Sequence, residues 1–249
     1  MKIKTAVFFI LFGFISLTGQ ETGKLRKVVF NTSWLPQAQF AGYFVARDKG
    51  FYEKYGLKTD FIFGSYDFGV EQNLTEGKAD LGIMWLHEGI LAHGRNKSIV
   101  NIAQFFDSSN IEIVSRSENI SSIGVWKPFV KFLSTYIHEE ISDSIEIVPL
   151  RNGIESFVLG AVDAITVTNY NELNQLINSG IDADELHIYK LAGMGLVLPE
   201  DGIYCLRDFY NNNEKLIRHR FQPFSQEARR VFWLFYNNRQ CLEVLKEFH

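Results

Sequence analysis

Two cysteines in 249 residues leave little room for thiol chemistry: Cys205 and Cys241 are too far apart for a C-x-x-C metal or redox pair. A single structural disulfide is allowed in an oxidising compartment, and burial of both as small hydrophobes is the alternative. Five prolines and no Pro/Gly-rich tract leave no flexible tether, so any two lobes must be joined by strand-like crossovers. Basic residues number 25 against 29 acidic ones and are scattered, so the footprint of a nucleic-acid binder is missing. Past residue 17 no apolar run approaches the roughly 20 residues of a membrane-spanning helix. With 46% apolar and 22% charged residues, disorder, collagen and coiled coil are excluded. Aromatic side chains are abundant, with 22 Phe, 10 Tyr and 4 Trp. Such rings serve as core filler or as stacking walls for a flat ligand.

Residues 1–20 read as a secretory signal peptide, with Lys2 and Lys4 ahead of an apolar stretch from Ala6 to Leu17 and small or polar residues behind it. The other reading is an uncleaved anchor helix. No cysteine lies near Gly19, which argues against a lipid anchor. The mature chain is therefore expected outside the cytoplasm, periplasmic or otherwise exported, with no span of its own.

From residue 27 onward strand-like runs alternate with helical patterns, the arrangement of β-α-β units and largely parallel sheets. Strands are predicted at 27–32, 57–63, 79–85 and 98–106, with helices at 39–49 and 68–76. A second set has strands at 111–115, 122–126, 144–149, 161–168 and 186–191, with helices at 127–139, 152–160 and 170–179. A strand at 203–206 and a helix carrying Phe224, Ala228, Val231 and Phe235 follow. Two α/β lobes with a ligand cleft between them are the natural reading. The division is residues 21–108 for the first lobe, 109–195 for the second and 196–249 for a return to the first.

The segment Ser33-Trp34-Leu35-Pro36-Gln37-Ala38-Gln39-Phe40-Ala41-Gly42-Tyr43-Phe44-Val45-Ala46, with Lys49-Gly50-Phe51-Tyr52 behind it, resembles the start of the SsuA/ThiY-like (NMT1-type) solute-binding proteins of ABC transporters. Gly77-Lys78-Ala79-Asp80-Leu81-Gly82, Gly160-Ala161-Val162-Asp163-Ala164, Tyr170-Asn171-Glu172 and Pro199-Glu200-Asp201-Gly202-Ile203-Tyr204 continue the likeness in order over residues 27–249. The pyrimidine-binding branch, which recognises thiamine-pyrimidine precursors, is the nearest in pattern. The resemblance implies a type II periplasmic-binding-protein fold, a small-molecule ligand and a membrane permease as partner. Two departures stand out. Glu118 to Trp126 replaces a longer connection of the family, and the chain stops at His249 soon after a helix the family follows with others, so the return is expected to be incomplete.

Trp34 follows a strand end and precedes Pro36, which puts its ring at the carboxyl edge of a sheet, where open α/β folds bind ligands. The resemblance places the family's cleft tryptophan there too; packing against the next helix is the plainer alternative. Tyr43 offers a phenol from that helix. Trp85 and His87 follow the strand Ala79 to Trp85, and Tyr170, Asn171 and Glu172 follow the strand Ala161 to Thr168. A carboxylate and an amide suit the donors and acceptors on an aminopyrimidine edge. Asn171 is equally a helix cap. Glu200 and Asp201 precede the returning strand, where they either meet an exocyclic amine or begin a turn. The candidate ligand-binding residues are thus Trp34, Tyr43, Trp85, His87, Tyr170, Asn171, Glu172, Glu200 and Asp201. None of these segments holds Lys or Arg, which points to a neutral ligand.

The fold likeness extends to a eukaryotic synthase of the same pyrimidine, which uses a lysine-bound pyridoxal phosphate, a histidine and a cysteine-rich motif. Here the lysine position is Met84, and Gly193 to Leu198 has no cysteine. Nucleophile-elbow, Walker, H-E-x-x-H and dinucleotide motifs are also missing. No enzyme activity, cofactor or metal is expected. A ligand-sensing module of the same fold, reporting to a signalling partner, is the rival class. Arg218-His219-Arg220 and Arg229-Arg230 read as solvated helix faces, with permease docking as the alternative.

Overall fold

The computed structural model describes residues 25–65, 69–96, 98–106, 108–151 and 153–221. The expected leader, the helix expected at 224–235, Arg229-Arg230 and Cys241 lie outside the described residues.

The first lobe begins with β1 (Arg26–Thr32), α1 (Ala41–Asp48), α2 (Phe51–Lys54), β2 (Leu57–Phe63), α3 (Val70–Thr75), β3 (Leu81–Trp85), α4 (Leu86–Arg95) and β4 (Ile99–Gln104). The chain then crosses to β5 (Ile111–Ser115), β6 (Ser122–Trp126), α5 (Val130–Glu140), β7 (Glu146–Leu150), α6 (Glu155–Val158), β8 (Ala164–Thr168), α7 (Glu172–Asn178) and β9 (His187–Lys190). It returns through β10 (Asp201–Leu206), α8 (Arg207–Asn212) and α9 (Glu214–Leu216). The two five-stranded sheets have the orders β2-β1-β3-β10-β4 and β7-β6-β8-β5-β9. This is the two-lobed periplasmic-binding-protein architecture.

The sheets are mixed, not largely parallel as the strand–helix alternation suggested. β1 pairs parallel with β2 and β3, while β10 runs antiparallel to β3 and β4. In the second sheet β6 is parallel to β7 and β8, and β5 is antiparallel to β8 and β9. The reason is geometric. β5 and β10 are the first strands laid down after each crossing, so each enters at the edge where its neighbours end and must run the opposite way. The carboxyl ends of the remaining strands therefore all face the crossing.

The inner strands β3, β5, β8 and β10 are buried on both faces, which is why they read as largely apolar runs. On the first sheet Val28, Phe30, Leu81, Ile83, Ile203 and Cys205 face the side covered by α1 and α2, while Met84 and Tyr204 alternate to the side of α3 and α4. Ile113, Ile123, Val125 and Ala164 of the second sheet pack on Leu133 and Ile137 of α5, and Ile165 and Val167 on Phe157 and Leu176. Each buried Val, Leu, Ile, Phe or Met among them stabilises the fold by about 1.5–3 kcal/mol. Cys205 is one of these small hydrophobes: it is fully buried and unbonded, and burial pushes its thiol up to about 12. Arg218, on the helical turn after α9, donates to Glu214 at 2.8 Å, an exposed ion pair.

α4 was not among the expected helices, because its two glycines dilute the helical pattern. Gly89 is there because the Tyr204 ring fills the space: an added Cβ would lie 2.3 Å from Tyr204 Cε1. Gly82, the second residue of β3, is the same device under α3, where a Cβ would meet Val70 Cγ1 at 2.2 Å and Leu74 Cδ1 at 3.1 Å. Gly82→Ala is expected to overpack this face and destabilise the protein by about 1–3 kcal/mol, measured by urea unfolding.

Candidate ligand-binding cleft

A cleft of about 640 Å³ opens where the carboxyl ends of the two sheets meet, within the roughly 300–1,000 Å³ of small-molecule sites. Rings from both lobes form much of its wall: Trp34, Trp85 and His87 from the first, Trp126, Phe129 and Tyr170 from the second. The loop after β1 holds Trp34 through Thr32, whose hydroxyl donates to the Trp34 carbonyl at 2.5 Å. Half-buried, Trp34 both lines the cleft and rests on the first lobe's core.

Trp85 ends β3 but packs into the second lobe's core, edge-on to Phe129 with ring centroids 5.0 Å apart. His87 lies 4.9 Å from the Phe129 ring and stacks at 12° on Phe132. Burial among these rings lowers its pKa to about 4, which favours the neutral imidazole near pH 7. Glu88, its neighbour, accepts from the Trp85 amide at 3.0 Å to close the start of α4, and burial raises its pKa.

In the second lobe Glu172 reaches the cleft from the first turn of α7, yet its oxygens are already engaged. Oε2 accepts from the Thr168 amide at 3.0 Å and the Thr168 hydroxyl at 2.6 Å, and Oε1 accepts from Asn171 at 2.7 Å. The carboxylate thus ties the end of β8 to the start of α7 as well as facing the cavity. Asn171 is not on the cavity wall. Its amide donates to Gln37 Oε1 at 2.9 Å, joining the lobes. Tyr170 lines the cleft and donates its hydroxyl to Glu200 at 3.3 Å.

Three expected contacts sit elsewhere. Tyr43 is fully buried in the first lobe's core, edge-on to Phe105 at 5.7 Å. The stripe that faces the sheet runs from Phe40, just before α1, through Tyr43 and Ala46, so the Tyr43 phenol points into the core and away from the cleft. Glu200 and Asp201 are fully buried at the crossing, behind the cavity wall. Glu200 accepts from the Asn110 amide at 2.5 Å, and Asp201 accepts from Gln39 at 2.8 Å. Burial, with Glu200 and Glu88 beside it, holds Asp201 well above the usual carboxylate range. Both acids serve the junction of the lobes.

The cleft also contains residues the sequence reading passed over. Trp126 was findable: Trp126-Lys127-Pro128 repeats the Trp34-Leu35-Pro36 arrangement at another strand end. Gln37 and Gln39 carried no signal until the fold placed them on the wall. The expectation that the cleft lacks cations is overturned, because Arg95, Lys127 and Arg151 line it. Arg95 comes from the unforeseen α4 and pairs with Glu71; Lys127 and Arg151 follow the adjacent strands β6 and β7. Among the described residues no group of His, Cys, Asp and Glu is arranged to hold a metal, and no helix is long and apolar enough to cross a membrane.

Comparison with known proteins agrees with this architecture. An alkanesulfonate-binding protein, SsuA of Xanthomonas axonopodis pv. citri, solved with MOPS bound, superposes with a TM-score of 0.64 at 13% identity over 90% of this chain and 80% of its own. A Candida albicans protein described as having the generic periplasmic-binding-protein fold gives 0.61 at 15% identity, over 90% and 76%. The periplasmic VFT2 domain of Bordetella pertussis BvgS gives 0.54 at 12%, over 90% and 93%. At such identities these likenesses establish the fold alone. No match was found among curated proteins. Residues 37–226, well over half of the sequence, match the NMT1/THI5-like family, and the chain belongs to that family.

Proposed function

We propose that this protein is the exported substrate-binding component of an ABC importer and that its cleft takes a small aromatic heterocycle, in first place a thiamine-pyrimidine precursor. The observation that carries this reading is the set of rings contributed by both lobes to one cavity, with Gln37, Gln39, Thr168 and Glu172 among them. A flat ring stacks on such walls, and amide, hydroxyl and carboxylate groups match the edge of an aminopyrimidine. Family membership supports the reading, and binding then proceeds by lobe closure with no covalent step. The closed protein would deliver its ligand to a membrane permease.

Arg95, Lys127 and Arg151 favour a second reading, a ligand with an anionic group, and the relative described as alkanesulfonate-binding fits it. The likeness to the BvgS domain supports a third, a sensor reporting to a separate signalling partner, less directly. Mass spectrometry of ligand released from purified protein, followed by calorimetry, decides among ligands. Tighter binding of a hydroxymethyl- or formylamino-pyrimidine than of an alkanesulfonate is expected, and the reverse order would replace the first reading by the second.

Two further outcomes follow from the pyrimidine reading. Trp34→Ala is expected to weaken pyrimidine binding by about 1–3 kcal/mol with the apo melting temperature little changed. A large drop in that temperature would assign the ring to the core instead. His87, with its folded pKa lowered to about 4, stays neutral through the pH range in which an ordinary histidine charges. The folding stability it contributes is complete above about pH 6.5 and is lost as pH falls from there towards 4, because the unfolded chain takes up the proton first. An NMR titration of its Cε1 proton should show a midpoint near pH 4; a midpoint near 6.5 would place the ring in solvent.

A further inference from the structure

Four side-chain amides and one carboxyl form a continuous hydrogen-bonded chain from the second lobe to the crossing. Gln175 of α7 donates to Asn171 Oδ1 at 3.0 Å, Asn171 to Gln37 Oε1 at 2.9 Å, Gln37 to Gln39 Oε1 at 2.7 Å, and Gln39 to Asp201 Oδ1 at 2.8 Å. Every link runs in the same direction, each amide accepting at its oxygen and donating at its nitrogen. Asn171 is held for this role by Glu172 at 2.7 Å, and Glu172 by Thr168. The link Asn171 to Gln37 crosses between the lobes, and the rest lie within one lobe or end at the returning strand.

From this geometry we infer that the chain Gln175–Asn171–Gln37–Gln39–Asp201 is a latch that holds the two lobes closed, with Asn171–Gln37 as the link that breaks on opening. Opening leaves Gln37 Oε1 without its donor, and the Gln39 amide and the buried Asp201 keep Gln37 from turning to find another. Gln39 and Asp201 are 4% and 0% exposed, so the anchored end of the chain does not move into water with the rest. Glu88 on α4 and Glu200 in the crossover are the titratable groups beside that end. Because Gln37 and Gln39 also line the cleft, a ligand that bonds to either acts on the latch directly. The inference holds whichever ligand the cleft takes.

The test needs no ligand. Spin labels at Lys58→Cys and Glu139→Cys, exposed positions on opposite lobes, report the distance between lobes in the full chain, with Cys241→Ser removing a background thiol and Cys205 already buried. The unliganded protein is expected to show both a short, closed distance and a longer, open one, since the latch biases the equilibrium and ligand completes the closure. Gln37→Met and Asn171→Leu, near in size but without the bond, should each raise the ratio of open to closed about three- to tenfold, the loss of one net hydrogen bond. The double variant should add little beyond the larger single effect. Gln39→Met, which touches no residue across the lobes by hydrogen bond, should shift the ratio in the same direction, as a simple pairwise contact would not. Both positions of the breakable link are only partly buried, so if one variant fails to fold the other decides. An open-to-closed ratio unchanged in the folded variants would overturn the latch.

Discussion

Glu200 stands where the chain returns from the second lobe, with no surface exposed to water. A carboxylate there is costly unless its oxygens are bonded, and the groups that bond it come from separate parts of the molecule. The Asn110 amide, at the end of the outgoing crossover, donates to Oε1, and the Tyr170 hydroxyl, from the loop after β8, donates to Oε2. The Glu200 carbonyl accepts from Gln104 at 2.7 Å, and the amide of Phe105 donates to the Asp201 carbonyl at 3.0 Å. Outgoing and returning strands are thereby clamped to each other. The cleft, its rings and the amide chain all take their relative positions from this clamp.

Above the clamp, two kinds of contact join the lobes. Trp85 and His87 meet Phe129 and Phe132 through ring faces and edges, a contact that tolerates sliding. The Asn171–Gln37 bond tolerates very little, since hydrogen bonds weaken steeply with angle. The apolar contact favours approach, and the polar one selects a single closed geometry.

The order of strands and helices was legible because buried parallel strands and glycine-stopped helices leave strong local patterns; β1, β2, β5, β6 and β8 all fall where those patterns predict. Strand direction was not legible, because antiparallel β5 and β10 are apolar runs like their neighbours, and only the crossing dictates their sense. Trp34, Trp85, His87, Tyr170 and Glu172 reach the cleft because the loops after strand ends are visible in sequence. Tyr43 misled because its phenol was read as a polar handle for a ligand, whereas it shares the sheet-facing stripe of Phe40 and Ala46. Glu200 and Asp201 misled because charge was read as exposure, whereas partners distant in sequence allow both to be buried. Arg95 was hidden inside a helix whose Gly89 makes room for a tyrosine from another strand.

The position of β10 bears on how the molecule is made. This strand lies inside the first sheet, between β3 and β4, yet it is synthesised after the whole of the second lobe. As the chain emerges from a ribosome or translocation channel, the second lobe can assemble its sheet from one contiguous stretch, β5 through β9. The first must wait with an inner position vacant and the edges of β3 and β4 unpaired. Closing that gap joins residues 98 to 122 positions apart, the slow kind of contact in folding. The lobe that is written first is therefore finished last, and until then its open strand edges are the part of the molecule most exposed to mispairing.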